Sequence, residues 1–245
     1  MYKLFLFLRS SLFWFFFLIS TVIFAPLALL TFPFSVLKRY AFIILWSRFN
    51  IWLLKIICGV KFEVSGKANI PEGGMIFLAK HQSTWETMAF QQILPPHVWV
   101  LKRELFRIPF FGWGLKMLKP IAIDRSAGRR AIEQLVDQGI KKLADNWSVM
   151  IFPEGTRVKP GNEVRYKLGG SILASQAEFP VVPVAHNAGE FWPKHSFIKY
   201  PGTIQVVIGK PIHGFGRKPE DINEEIKHWI ESQMSLISDE SRWDR

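Results

Sequence analysis

The chain has 245 residues, enough to bury a substantial core in one domain of ordinary size. Hydrophobic residues make up 49% and aromatic residues 15%, which is rich for a soluble enzyme, and the formal net charge of +11 points to an anionic partner. A single cysteine, Cys58, excludes an intrachain disulfide and any cysteine-based zinc site, and it fits a reducing compartment.

No charged residue occurs from 10 to 37, a run of 28 positions. At about 1.5 Å per residue that is long enough to cross a bilayer. Pro26 and Pro33 interrupt the run and leave a kinked span or a one-leaflet insertion open beside a straight span. Lys3 and Arg9 precede it and Lys38 and Arg39 follow, so charge gives no orientation. The run is longer than the apolar part of a secretory signal and lacks a clear cleavage site. Residues 40–60 predict an aromatic-rich helix with a narrow basic face, Arg48 and Lys55, suited to a membrane interface; a core helix is the alternative. We expect residues 1–59 to form a membrane-attachment module and 60–245 a globular domain. Basic residues near anionic headgroups each contribute about 1 kcal/mol, so the positive charge needs no nucleic acid, and no nucleic-acid-binding motif is present.

The remainder alternates. Strands are expected at 61–65, 75–79, 98–101, 121–123, 148–152, 181–185 and 204–208. Helices are expected from Glu86, over 128–147 as the clearest amphipathic stretch, over 168–177, and from Pro219 onward. Residues 108–114 are apolar but hold too many glycines for a stable isolated helix. Strands alternating with helices give an α/β fold, a mixed and mostly parallel sheet covered by helices, preceded by the helical anchor.

Three strand ends carry polar clusters. His81 and Glu86 straddle the turn Gln82-Ser83-Thr84-Trp85 between a strand and a helix, a place where an open α/β sheet exposes fixed residues. One reading is a catalytic pair, with the carboxylate holding one ring nitrogen of a general base. The other is a capping box, Ser83 as N-cap with Glu86 three residues on, in which His81 has no task. Asp124-Arg125 follows another strand and reads as either a ligand-facing arginine or a surface ion pair. Phe152-Pro153-Glu154-Gly155-Thr156-Arg157 follows a third, where Gly155 permits close backbone approach and Arg157 offers a forked donor for phosphate; a plain tight turn is the alternative.

In order, His81-x4-Glu86, Lys102-Arg103-Glu104-Leu105 with Pro109 and Gly112, Ile123-Asp124-Arg125, the hexamer at 152–157 and Val182-Pro183-Val184 resemble the glycerolipid acyltransferase family. The likeness spans roughly residues 60–210 and is greatest to bacterial 1-acylglycerol-3-phosphate acyltransferases. It implies acyl transfer from an acyl-carrier protein or acyl-coenzyme A thioester to the hydroxyl of a lysophospholipid, by direct attack, with no acyl-enzyme, cofactor or metal. It implies His81 as base and Glu86 as its orienting partner. Arg157, with Glu154, Gly155 and Thr156, would shape the acceptor-phosphate site, with Arg125 and Lys102 contributing charge. It also implies a cytoplasmic-membrane location with the site on the cytoplasmic side. The family usually has aspartate where this chain has Glu86, one methylene longer. A lyso-aminolipid acceptor such as lyso-ornithine lipid, or an inactive lipid-binding homologue, are the alternative readings.

Overall fold

The computed structural model describes residues 1–108, 111–124 and 127–243. Two long helices open the chain, α1 (Tyr2–Leu30) and α2 (Val36–Cys58), each long and apolar enough to cross a membrane by length and composition. Pro26 lies within α1 and Pro33 in the turn between the helices, so only the second proline marks a break. The helices run antiparallel, with Arg9 Nε donating to Ile57 O near one end and Phe24 meeting Phe42 nearer the other.

Seven strands follow: β1 (Val60–Ser65), β2 (Ile76–Ala79), β3 (His97–Lys102), β4 (Ile121–Ile123), β5 (Ser148–Ile151), β6 (Val181–His186) and β7 (Gly202–Ile208). Between them lie α3 (Trp85–Ile93), α4 (Phe111–Met117), α5 (Arg129–Ala144) and α6 (Gly169–Gln176), with α7 (Pro219–Ile237) closing the chain. The sheet order is β1-β7-β6-β2-β5-β3-β4, and only the β6–β7 pair is antiparallel. All seven predicted strands are present, as is the mixed, mostly parallel sheet.

Alternation along the central strand divides the interior into two cores. Met75, Phe77 and Ala79 pack with Phe13, Ile51 and Leu54 of the first two helices and with Trp85 and Phe90 of α3. Ile76 and Leu78 pack with Leu135 of α5, Leu173 of α6 and Ile222 and Ile226 of α7. A strand side chain can face only one of the two, because successive Cβ atoms point to opposite faces. Phe13 and Leu54 are fully buried, each contributing about 1.5–3 kcal/mol, so packing crosses the junction at 59/60 and the hairpin shares a core with the sheet. Its outer face is bare and apolar: Leu8, Leu12, Phe15, Leu18 and Val22 are all exposed.

One expectation is corrected. Residues 111–117 are helical despite Gly112 and Gly114. A Cβ at position 112 would lie 2.5 Å from Leu105 O and 2.7 Å from Phe106 O, so glycine is required for α4 to pack against the preceding 3₁₀ turn. Tertiary contact here outweighs poor helix propensity.

Candidate active site

The C-terminal ends of β2, β5, β3 and β4 share one sheet edge because these strands are mutually parallel. His81 lies just past β2, the hexamer just past β5, Lys102 at the end of β3 and Asp124 just past β4. The predicted clusters thus share an edge. Arg125, Pro109 and Phe110 lie outside the described residues.

His81 is fixed on several sides. Its Nδ1 lies 2.8 Å from Glu86 Oε1, and its ring stacks on Phe152 with centroids 3.9 Å apart and planes 8° from parallel. Trp99 stacks behind Phe152 at 5.6 Å. The backbone N–H of His81 donates to Glu154 Oε2 at 2.6 Å, and its carbonyl accepts from Val158 N at 2.8 Å. Nε2 makes no hydrogen bond among the described residues, and the side chain is 15% exposed. An ionised carboxylate can only accept, so Nδ1 carries the proton and Nε2 presents its lone pair. That is the tautomer of a general base.

Glu86 is completely buried. The same oxygen, Oε1, also accepts from Gln82 N at 3.0 Å and Ser83 N at 2.8 Å, while Ser83 Oγ accepts from Trp85 N at 3.2 Å. The contacts that each reading of this turn calls for are therefore both present. The cap differs in detail from the expected box: α3 begins at Trp85 with Thr84 as N-cap, placing Glu86 second in the helix. Burial alone pushes the Glu86 carboxyl up, but the His186 and His81 imidazoles and the Ser83 amide overturn this and hold it below the usual carboxylate range.

The hexamer loop divides its labour. Gly155 has φ +69°, and a Cβ there would come within 2.8 Å of Lys167 Nζ. Thr156 is exposed, with Oγ1 3.5 Å from Lys194 Nζ, and Lys194 also donates to Arg157 O at 2.8 Å. The Arg157 guanidinium makes no hydrogen bond or ion pair among the described residues, so its fork is available to an anion. Lys102 is exposed and likewise without a bonded partner among them. Glu154, expected to help shape the acceptor-phosphate site, is itself buried. It is 4% exposed, and its carboxylate turns inward to the His81 amide and to Lys80 Nζ, 3.0 Å away. Burial raises it to about 7 against the opposing pull of Lys80.

Several contributors carried no local signal. Lys80, 2% exposed, pairs with Glu154 and at 2.8 Å with Glu231 of α7, which also accepts from Tyr166 OH at 2.9 Å. His186 Nε2 donates to Lys80 O at 2.8 Å. Only a charged residue at the end of an apolar strand hinted at Lys80, and nothing marked Glu231.

An oriented imidazole, and an arginine with no bonded partner among the described residues, thus lie past neighbouring parallel strands on one sheet edge. A family model described as Acyltransferase matches residues 61–187, and the chain belongs to that family. It is 48% identical over 204 residues to the 1-acyl-sn-glycerol-3-phosphate acyltransferase of Pseudomonas aeruginosa, covering 82% of this chain and 79% of that protein. It is 29% identical over 195 residues to the alpha enzyme of the same name from Ovis aries, covering 77% and 68%. The fold is that of the 1-acyl-sn-glycerophosphate (LPA) acyltransferase PlsC from Thermotoga maritima, with a TM-score of 0.77 and 21% identity over 97% of this chain and 99% of that one.

Proposed function

We propose that the protein is a membrane-bound 1-acylglycerol-3-phosphate O-acyltransferase that makes phosphatidic acid from lysophosphatidic acid. The observation that carries this is the His81 geometry: Nδ1 bonded to Glu86 at 2.8 Å, the ring flat on Phe152, and Nε2 without a hydrogen-bond partner among the described residues. The free hydroxyl of the lysolipid gives its proton to Nε2 as its oxygen attacks the thioester carbonyl. The new C–O bond forms, the C–S bond breaks, and the thiolate takes the proton from the imidazolium. Glu86 stabilises that imidazolium, and Arg157 holds the acceptor phosphate. Gly155 and Thr156 shape the loop, and Arg125 and Lys102 add positive charge. The name of the Pseudomonas aeruginosa relative supports this acceptor. The donor is the thioester of acyl-carrier protein or coenzyme A.

The exposed apolar face of the hairpin supports membrane attachment. The helices are long enough to span, yet Tyr40 stacks edge-on to Trp147 and Ser47 donates to Gln91, so α2 lies along the domain rather than standing away from it. We place the protein on the cytoplasmic face of the inner membrane, with the hairpin inserting from one side. His81 continues the alternation of Met75, Phe77 and Ala79 and so belongs to the hairpin side of the sheet, where a lipid hydroxyl would arrive.

Purified protein in detergent, given a labelled acyl thioester, is expected to acylate lysophosphatidate in preference to a lysolipid with a neutral headgroup. Equal rates would remove the phosphate-binding role of Arg157. Absence of transfer to any lysolipid would overturn the reading.

A further inference from the structure

Lys80 and His81 are adjacent just past the end of β2, and their contacts lie on opposite sides of the sheet, His81 on Phe152 and Lys80 on Glu231 of α7. His81 goes to the hairpin side, and Lys80 goes to the side of α7. There the Lys80 ammonium meets Glu154 Oε1 at 3.0 Å and Glu231 Oε1 at 2.8 Å. Glu154 bridges the two faces, because its other oxygen accepts the His81 N–H at 2.6 Å. Tyr166 OH secures Glu231, and His186 secures the Lys80 carbonyl.

We propose that Lys80 and Glu231 are positioning residues for acyl transfer, setting His81 from the opposite face of the sheet through the ionised Glu154 carboxylate. This rests on His81 being the base of the reaction proposed above.

Physical chemistry favours a task for this cluster. Three ionisable groups occupy a mostly buried space, one ammonium between two carboxylates, and the net charge is −1 when both carboxylates are ionised. Such a cluster is weak as a source of stability, since desolvation offsets most of the attraction. It is strong as a geometric constraint. The groups that bond to it are Tyr166 from the loop before α6 and His186 from β6, with His81 and Glu86 beyond the Glu154 bridge; further out lie Lys167 against Gly155 and the exposed Lys227–Glu163 pair. Among the groups bonded to it, Lys80 is the one permanent cation when the imidazoles are neutral. Burial acts most strongly against the ionised form of Glu154, and its two charged neighbours act in opposite senses: Lys80 favours that form, as does the His81 N–H, and Glu231 disfavours it.

The two neighbours give opposite signatures. Removing the Lys80 charge makes Glu154 easier to protonate, so the acidic limb of the kcat profile moves to higher pH. Removing the Glu231 charge makes Glu154 harder to protonate, so that limb moves to lower pH. A purely architectural role would give losses with no such opposition. The experiment measures kcat and KM for lysophosphatidate across the neutral pH range for the full-length wild type, Lys80→Met, Lys80→Arg and Glu231→Gln, with folding checked by thermal melts. The wild type must first transfer acyl groups with loss on His81→Ala; if it does not, the functional reading fails and not this inference. The expected result at neutral pH is a kcat of Lys80→Met lower by about 10–100-fold with KM little changed, the scale of a displaced catalytic group. Activity is partly regained on raising the pH and partly restored in Lys80→Arg. Glu231→Gln shifts the acidic limb the other way, and it carries the test by itself if Lys80→Met does not fold. Limbs that stay in place or move the same way in the folded variants would overturn the inference.

Discussion

Glu86 holds His81 with the same oxygen that holds the start of α3. Oε1 lies 2.8 Å from the His81 Nδ1 and 2.8 Å from the Ser83 amide. The capping contact and the contact to the proposed base are thus one structural feature, and the extra methylene of glutamate over aspartate does not break it. The orientation of the base is tied to the folding of the helix that follows.

Glu86→Gln separates the two roles. The amide oxygen still accepts from the backbone, so α3 stays formed and stability falls by about 1 kcal/mol. The charge opposing the imidazolium is lost, and kcat falls by on the order of 10²-fold. Because the Glu86 carboxyl is held below its ordinary range, its stabilisation is full above the unfolded value of about 4.3 and disappears only as pH falls through the lower folded value. The variant is expected to lose that acid dependence in urea melts. Unchanged kcat would leave Glu86 as a cap alone.

His81→Ala is expected to lower the transfer rate by about 10²–10⁴-fold, as for loss of a general base. Phe152→Leu tests the stacking face: the imidazole keeps its bond to Glu86 but loses its planar support, and kcat is expected to fall by about tenfold with KM unaltered. Steady-state kinetics on both variants decides whether ring orientation matters beyond the Nδ1 bond.

Arg157→Lys is not conservative at a forked phosphate contact. It is expected to cost about 1.5–3 kcal/mol in kcat/KM for lysophosphatidate, the scale of a hydrogen bond to a charged group, and to leave a neutral lysolipid unaffected. A parallel loss on both acceptors would assign the arginine to the donor or to the loop fold.

Lys199 offers a pH test away from the site. It is 1% exposed, with Nζ 3.9 Å from the Trp14 ring centroid and 4.5 Å from that of Trp192, and it stitches α1 to the domain. Burial pushes its ammonium down to about 7, whereas in the unfolded chain it titrates near about 10.4. Between these values the unfolded chain binds the extra proton, so this group makes stability rise with pH, and its penalty is full below about 7. Lys199→Met keeps an unbranched side chain against the rings, and Phe197 O still accepts from Trp14 Nε1. Thermal melts are expected to show a higher midpoint at and below neutral pH and a flatter slope above it. A lower midpoint throughout would mean that the cation–π contacts outweigh desolvation.

Removing residues 1–59 would strip Phe13, Ile51 and Leu54 from the core, so the truncated chain is expected to aggregate rather than dissolve. Acidic substitutions at Phe15, Leu18 and Val22 act only on the exposed face. They are expected to release a folded, active enzyme from vesicles in a flotation assay, each removing about 1.5–3 kcal/mol of apolar burial in lipid. Persistent flotation would place the membrane contact elsewhere.

Local pattern determined much of this molecule. Alternation marked the strand at 61–65 and short apolar runs marked the central strands, the stripe of Ala131, Leu135 and Val136 marked α5, and Pro219 marked the start of α7, because side-chain pattern and backbone propensity act over a few residues. The hexamer at 152–157 and the spacing of His81 and Glu86 carried the resemblance to the acyltransferase family, which the comparisons show. Tertiary structure decided what depends on distant partners. Lys80 reaches Glu231 across 151 positions, Glu154 turns inward because an ammonium waits there, and Gly112 allows a helix because Leu105 and Phe106 press against it. The hairpin is no separate anchor because Phe13 and Leu54 complete a core begun by Met75 and Phe77. Which face a side chain takes follows from local alternation, but what meets it there is settled only when the sheet and its two helical layers assemble.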